Sequence, residues 1–163
     1  MKDRVKATPT EVFCKLSGYP SVERIAQGPV AIIECEQEIP CNPCETSCAK
    51  GAIYVGQPIT NLPILYGDKC IGCGLCVANC PGQAIFMLDA TYSDTTALVG
   101  IPYEYVPMPE VGDTVDVRSR DGETLGEGVI RKIINNKATD KTNVVFIEVD
   151  KKLGKEVRAI GIK

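Results

Sequence analysis

Eight of the nine cysteines in this 163-residue chain lie between positions 35 and 80, in two groups that repeat each other. Cys41, Cys44 and Cys48 recur as Cys73, Cys76 and Cys80 at a constant offset of 32 residues. The match runs on past the cysteines, where Ala52-Ile53-Tyr54 aligns with Ala84-Ile85-Phe86. Self-similarity at a fixed period marks two copies of one structural unit. The first cysteines of the groups, Cys35 and Cys70, are offset by 35 instead, which predicts three extra residues early in the first loop. Any fold must therefore wrap thiols twice, with two closely similar loops.

The second group reads Cys70, Cys73, Cys76, Cys80-Pro81. Three thiolates within seven residues can hold three corners of one cubane only if the backbone curls tightly. Gly72 and Gly74 permit the positive φ values such a curl needs, and backbone N–H groups then point at the sulfurs and stabilise their charge. Cys80 lies too far along to complete the same cubane easily. The first group is looser: Cys35, five residues, then Cys41-Asn-Pro-Cys44-Glu-Thr-Ser-Cys48. Glu38 stands where the first cysteine would fall, and Ala49 replaces the proline. The chain has no histidine. That excludes His-ligated zinc, Rieske centres, Cys-x-x-Cys-His haem attachment and a Cys–His catalytic pair within the chain. All-cysteine zinc sites place their ligands in separated pairs. Disulfides would need export, yet Met1-Lys2-Asp3-Arg4-Val5-Lys6 leads into no apolar run.

Residues 35–88 resemble the bacterial-type two-[4Fe–4S] ferredoxin domain, on the run Cys70-Ile-Gly-Cys73-Gly-Leu-Cys76-Val-Ala-Asn-Cys80-Pro81. The resemblance implies two [4Fe–4S] clusters with crossed ligation. Cys35, Cys41, Cys44 and Cys80 would hold one, and Cys70, Cys73, Cys76 and Cys48 the other. Metal binding would then be coupled to folding. Tyr54 and Phe86 are expected to pack against the clusters and exclude water, and Cys14 to be a small buried apolar residue. Pro40 and Pro43 lack N–H donors, and Glu34, Glu36, Glu38 and Glu45 add negative charge. Both features predict a lower potential for the first-loop cluster.

Around this region the chain divides into a lead segment (1–34), a connector (89–110) and a small all-β, barrel-like module (111–163). The expected class is α+β. The lead carries a helix signal at Ser21 to Gly28 and an apolar strand at 30–33. Leu98 to Val106 reads as extended, but Pro102 and Pro107 predict an edge strand or connector. In the module, Asp121-Gly122 signals a hairpin. Gly126 and Gly128 suggest a bulge in the strand from Leu125 to Ile134, and Val144 to Val149 and Val157 to Ile162 read as further strands.

No GxGxxG, P-loop or His-based triad is present, so no catalytic residue is assigned. The expected role is an electron-transfer, non-catalytic subunit of an oxidoreductase, because single-electron relays need a partner that holds the reacting cofactor. The layout is similar to the small iron–sulfur subunits of flavin-dependent amino-acid dehydrogenases of the proline, hydroxyproline and sarcosine-oxidase-like type. Two features carry that similarity: the Cys35–Cys48 segment, and Ile101-Pro-Tyr-Glu-Tyr-Val-Pro-Met-Pro-Glu-Val-Gly-Asp113 leading into the β module. It implies flavin-containing partners in a hetero-oligomer. A free-standing ferredoxin and a structural or sensor protein are the other readings. The net charge of -3 disfavours nucleic acid. No run approaches the ~18 apolar residues of a membrane span, so a cytoplasmic location is expected.

Overall fold

Val30, Ala31, Ile32 and Ile33 are all buried, which a strand achieves only when both faces of its sheet are covered. The computed structural model describes residues 9–161 and shows what covers them. Its helices are α1 (Pro9–Phe13), α2 (Val22–Ile25), α3 (Pro43–Thr46) and α4 (Leu75–Asn79). Its strands are β1 (Val30–Ile33), β2 (Ile53–Tyr54), β3 (Ile64–Leu65), β4 (Ile85–Asp89), β5 (Thr96–Tyr103), β6 (Thr114–Arg118), β7 (Thr124–Ile134), β8 (Asn143–Asp150) and β9 (Ala159–Gly161). Seven of these form one antiparallel sheet in the order β1-β4-β5-β8-β7-β6-β9, and β2 pairs with β3 separately. The class is α+β. Among the described residues no helix is long and apolar enough to cross a membrane.

The two-residue period of the strands sorts side chains between the faces. Val30 and Ile32 of β1, Phe86 and Leu88 of β4, Val99 and Ile101 of β5, and Val145 and Ile147 of β8 pack into one cluster. Val115 and Val117 of β6 and Ile130 of β7 join them. Ala31, Ile33, Ile85, Met87, Val144 and Phe146 point the other way and pack with the cysteine loops. Gly100 sits on this second face because a Cβ there would meet Phe146 Cε1 at 2.8 Å and Met87 Cβ at 3.0 Å.

The expected edge or connector at 98–106 is instead β5, a central strand between β4 and β8. Its proline is tolerated because β4 pairs with β5 only as far as Gly100, so Pro102 leaves no gap in that ladder. The strands after residue 111 do not close on themselves as a separate barrel. They extend the sheet that begins with β1, so one ladder runs across positions 88 and 110. The Asp121-Gly122 hairpin joins β6 to β7 as the sequence predicts. The expected bulge lies beside Gly126, where β7 gains one residue, Leu125, against Val117–Arg118 of β6. A second register shift, against β8, falls between Ile130 and Lys132, and Gly128 serves close packing, its would-be Cβ meeting Ile147 Cγ2 at 2.5 Å. Ser21 caps α2, accepting from Arg24 N at 3.2 Å.

Candidate metal centre

The sequence repeat is a repeat in three dimensions. Asn42 O accepts from Glu45 N and Thr46 N to open α3, and Gly74 O accepts from Val77 N and Ala78 N to open α4, 32 positions later. Cys48 O accepts from Gly51 N, and Cys80 O from Gln83 N, both at 3.0 Å. Gly51 and Gln83 share a left-handed backbone, with φ of 60° and 49°. Cys48 Sγ accepts from Ala52 N at 3.3 Å, and Cys80 Sγ from Ala84 N at 3.4 Å. The strand pairs obey the same offset: Ile33 faces Ile85 in β1–β4, and Leu65 faces Ile53 in β2–β3.

That register corrects the expected insertion. Ile33 to Cys41 and Leu65 to Cys73 are equal in length, so the first loop carries no extra residues. Glu38 occupies the position equivalent to Cys70, and Cys35 lies three residues upstream of it, immediately beyond the sheet.

Two cavities lie on the second face of the sheet. One, of about 190 Å³, is lined by Cys35, Cys41, Cys44 and Cys80. The other, of about 150 Å³, is lined by Cys48, Cys70, Cys73 and Cys76. Each thus gathers three cysteines of one loop and the last cysteine of the other. Ile33 and Ile85 floor the first cavity, and Ala31 and Met87 the second. These are cross-strand pairs two residues apart along β1, so the floors are offset by only ~7 Å. The alternation also corrects the expectation for Tyr54 and Phe86. Ile85 and Ile53 line the cavities, whereas Phe86 packs on the opposite face and Tyr54 is half exposed.

The second loop is shaped by glycine and by one distant arginine. Gly72 and Gly74 hold φ values of 71° and 82°, and a Cβ on Gly72 would meet Pro29 Cβ at 2.6 Å. Arg24 of α2 donates to the carbonyls of Gly67 (2.8 Å), Gly28 (3.1 Å), Pro29 (2.9 Å) and Cys70 (2.9 Å), pinning the turn that delivers Cys70. Ala31 N donates to Cys70 Sγ at 3.4 Å. In the first loop Pro43 opens α3 at a position where the helix needs no N–H.

Electrostatics follow the same two sets. Burial pushes the Cys44 thiol up to about 11, with Cys80, Cys41 and Cys35 adding to the rise. Burial raises Cys41 too, with Cys80 and Cys35 as its charged neighbours. Cys76 is raised strongly, again by burial first and then by Cys70, Cys73 and Cys48. Thiols gathered so closely, with Cys44 and Cys76 buried, need a cation to be held ionised together. Among the described residues no three Cys, Asp or Glu side chains close on one ion position. Mononuclear zinc would need all its sulfurs about 2.3 Å from one point. Sulfurs spread around a cavity, an apolar floor and N–H donors to Sγ fit a polynuclear iron–sulfur group instead.

Glu34, read in the sequence as one of four carboxylates crowding the first loop, is buried and doubly paired. Its Oε2 accepts from Arg120 Nη1 at 2.7 Å, and its Oε1 accepts from Arg158 Nε at 2.8 Å, with Arg158 Nη2 at 2.6 Å. Arg158 Cζ lies 4.8 Å from the Phe86 ring centre. Glu45 accepts from Gly56 N at 3.2 Å, and Glu36 and Glu38 face water. Of the four carboxylates, Glu34 is neutralised by its arginines, whereas Glu36 lines the first cavity and stands with the missing N–H groups of Pro40 and Pro43 as grounds for a low first-loop potential. Cys14 is exposed at the end of α1, not buried, and its Sγ donates to Glu11 O at 3.7 Å. Arg24, Arg120 and Arg158 are the site residues that sequence reasoning missed, since no local pattern links Arg24 to Cys70, 46 positions on, or Arg120 and Arg158 to Glu34, 86 and 124 positions back.

Comparison with known proteins agrees with the second loop. Residues 63–86 match the 4Fe-4S binding domain family. A stretch of 76 residues is 35% identical to an uncharacterized ferredoxin of Methanocaldococcus jannaschii. The stretch covers 46% of this chain and 46% of that protein, so the chain spans about half the length of the relative it matches. No solved structure matches.

Proposed function

We propose that this iron–sulfur chain, with its 4Fe-4S binding segment at residues 63–86, carries two [4Fe–4S] clusters and relays single electrons within a multi-subunit oxidoreductase. The observation that carries the reading is the pair of adjacent cavities, each lined by four cysteines crossed between the two loops. Cys35, Cys41, Cys44 and Cys80 hold one cluster, and Cys70, Cys73, Cys76 and Cys48 the other. Such clusters exchange one electron at a time. The chain's own part is to hold the thiolates, keep water from the floors and donate N–H bonds to sulfur. The partner is a flavin-containing subunit of an amino-acid dehydrogenase, which performs the two-electron chemistry.

A hetero-oligomer is supported by the sheet beyond the cysteine loops, which a bare carrier does not need. It is also supported by Tyr105, Val106 and Val111, which expose apolar surface between β5 and β6. A cytoplasmic location fits nine cysteines that form no disulfide, a pattern expected of a reducing compartment. Anaerobic purification from the native cell, with iron counting and EPR of the reduced protein, tests the proposal. About eight irons per chain and a co-purifying flavoprotein are expected. Four irons would refute the two-cluster reading, and a lone chain with full clusters would favour a free-standing ferredoxin.

A further inference from the structure

Arg120 sits in the turn between β6 and β7, far in sequence from either cysteine loop, yet it lines the cavity of Cys35, Cys41, Cys44 and Cys80. Two contacts fix it there. Its Nη1 lies 2.7 Å from Oε2 of Glu34, whose side chain is fully buried, and its Cζ lies 4.3 Å from the ring centre of buried Phe13. The other oxygen of Glu34 belongs to Arg158. Glu34 and Glu36 bring negative charge to the lining of this cavity, and Arg120 is the cation among its lining residues. The second cavity is lined by one charged residue, Lys50, whose side chain is exposed to water. The long antiparallel sheet thus delivers a fixed cation to one cavity and not to the other.

We propose that Arg120 tunes the group bound by Cys35, Cys41, Cys44 and Cys80, raising its reduction potential. This rests on the two-cluster reading above. Reduction adds one electron, supplied by the flavin-containing partner or by dithionite in vitro, and makes or breaks no bond. The added negative charge is stabilised by a nearby cation that cannot move away or lose its proton. Arg120 is 38% exposed, so water screens part of its field. An effect of about tenfold in the one-electron reduction equilibrium, ~59 mV, is expected. The charge offsets the missing N–H donors of Pro40 and Pro43 in the same loop.

The test is an anaerobic EPR-monitored redox titration of the full chain with its clusters, comparing wild type with Arg120→Gln and Arg120→Lys. Cys41→Ser and Cys73→Ser variants assign the two signals. Arg120→Gln should lower the first-loop potential by about 59 mV and leave the second in place. Arg120→Lys, which keeps the charge, should stay near wild type. Equal shifts of both clusters, no shift in Arg120→Gln, or equal shifts in the Lys and Gln variants would overturn the assignment. If Arg120→Gln fails to retain iron, Gln37→Lys adds charge at the same cavity, where Gln37 is exposed. It should raise the first-loop potential alone, and no rise would refute the idea. An iron count of four in the wild type would instead defeat the underlying two-cluster reading, so the two failures are distinct.

Discussion

Arg158→Met tests the tie that joins the far end of the chain to the first cysteine loop. Arg158 is buried, and Glu34 beside it has no exposed side-chain surface. Arg158 gives Glu34 Oε1 two contacts, at 2.8 and 2.6 Å, and also donates from Nη1 to Val157 O at 2.6 Å. Methionine preserves most of the stem over Phe86 but leaves the carboxylate with Arg120 alone. Breaking a buried ion pair from one side costs ~3–5 kcal/mol, because the remaining charge stays desolvated. With a urea slope of about 2 kcal/mol/M, the midpoint should fall by ~1.5–2.5 M. The assay is anaerobic urea unfolding of the cluster-loaded protein, followed by far-UV circular dichroism at fixed incubation time. The double variant Glu34→Gln/Arg158→Met should be less destabilised than Arg158→Met, since no unpaired buried charge remains. A loss below ~1 kcal/mol for Arg158→Met would be typical of an exposed ion pair and would refute the argument. So would a double variant as weak as the sum of its singles.

Three further outcomes are expected. Cys80→Ser should abolish the EPR signal of the first-loop cluster and spare the other, although Cys80 belongs to the second sequence motif; loss of the second-loop signal instead would contradict the crossed arrangement. Arg24→Met removes four hydrogen bonds to backbone carbonyls at a partly exposed site and should cost ~2–3 kcal/mol. It should also speed air-induced bleaching of the cluster held by Cys70, as read by visible absorbance. In the iron-free protein the folded pKa of Cys44 lies near 11, above its ordinary 9.0, and Cys41 and Cys76 shift the same way. The folded chain therefore binds more protons than the unfolded one in this window. For Cys44 that stability is fully present below pH 9 and is lost as pH rises towards 11, by at most ~1.4 kcal/mol per pH unit and less where water screens the thiol. A thermal midpoint of the iron-free protein that holds constant or rises between pH 9 and 10.5 would refute the shift.

The sequence by itself determined whatever depends on neighbours along the chain. The offset of 32 residues became a duplicated arrangement of helix starts, left-handed residues and N–H-to-sulfur bonds, because each copy's geometry is set within about ten residues. Gly72 and Gly74 were legible because only glycine accepts their φ values without strain. The Asp121-Gly122 hairpin and β8 were legible for similarly local reasons. Tertiary structure decided the rest. Whether Phe86 or Ile85 lines a cavity depends on the face that β4 turns to the cysteines, and a shift of one residue would exchange them. The lack of an insertion near Cys35 emerged only from the pairing of β1 with β4 and of β2 with β3, since cysteine spacing alone cannot separate a longer loop from a displaced ligand. Pro102 in a central strand depends on where the pairing of β4 with β5 stops, at Gly100. The largest difference concerns charge. Glu34 reads as one more carboxylate in an acidic loop, until the sheet brings Arg120 and Arg158 to it across 86 and 124 residues. Long-range ion pairs leave no periodicity in the chain, because their partners are chosen by the folded sheet and not by spacing.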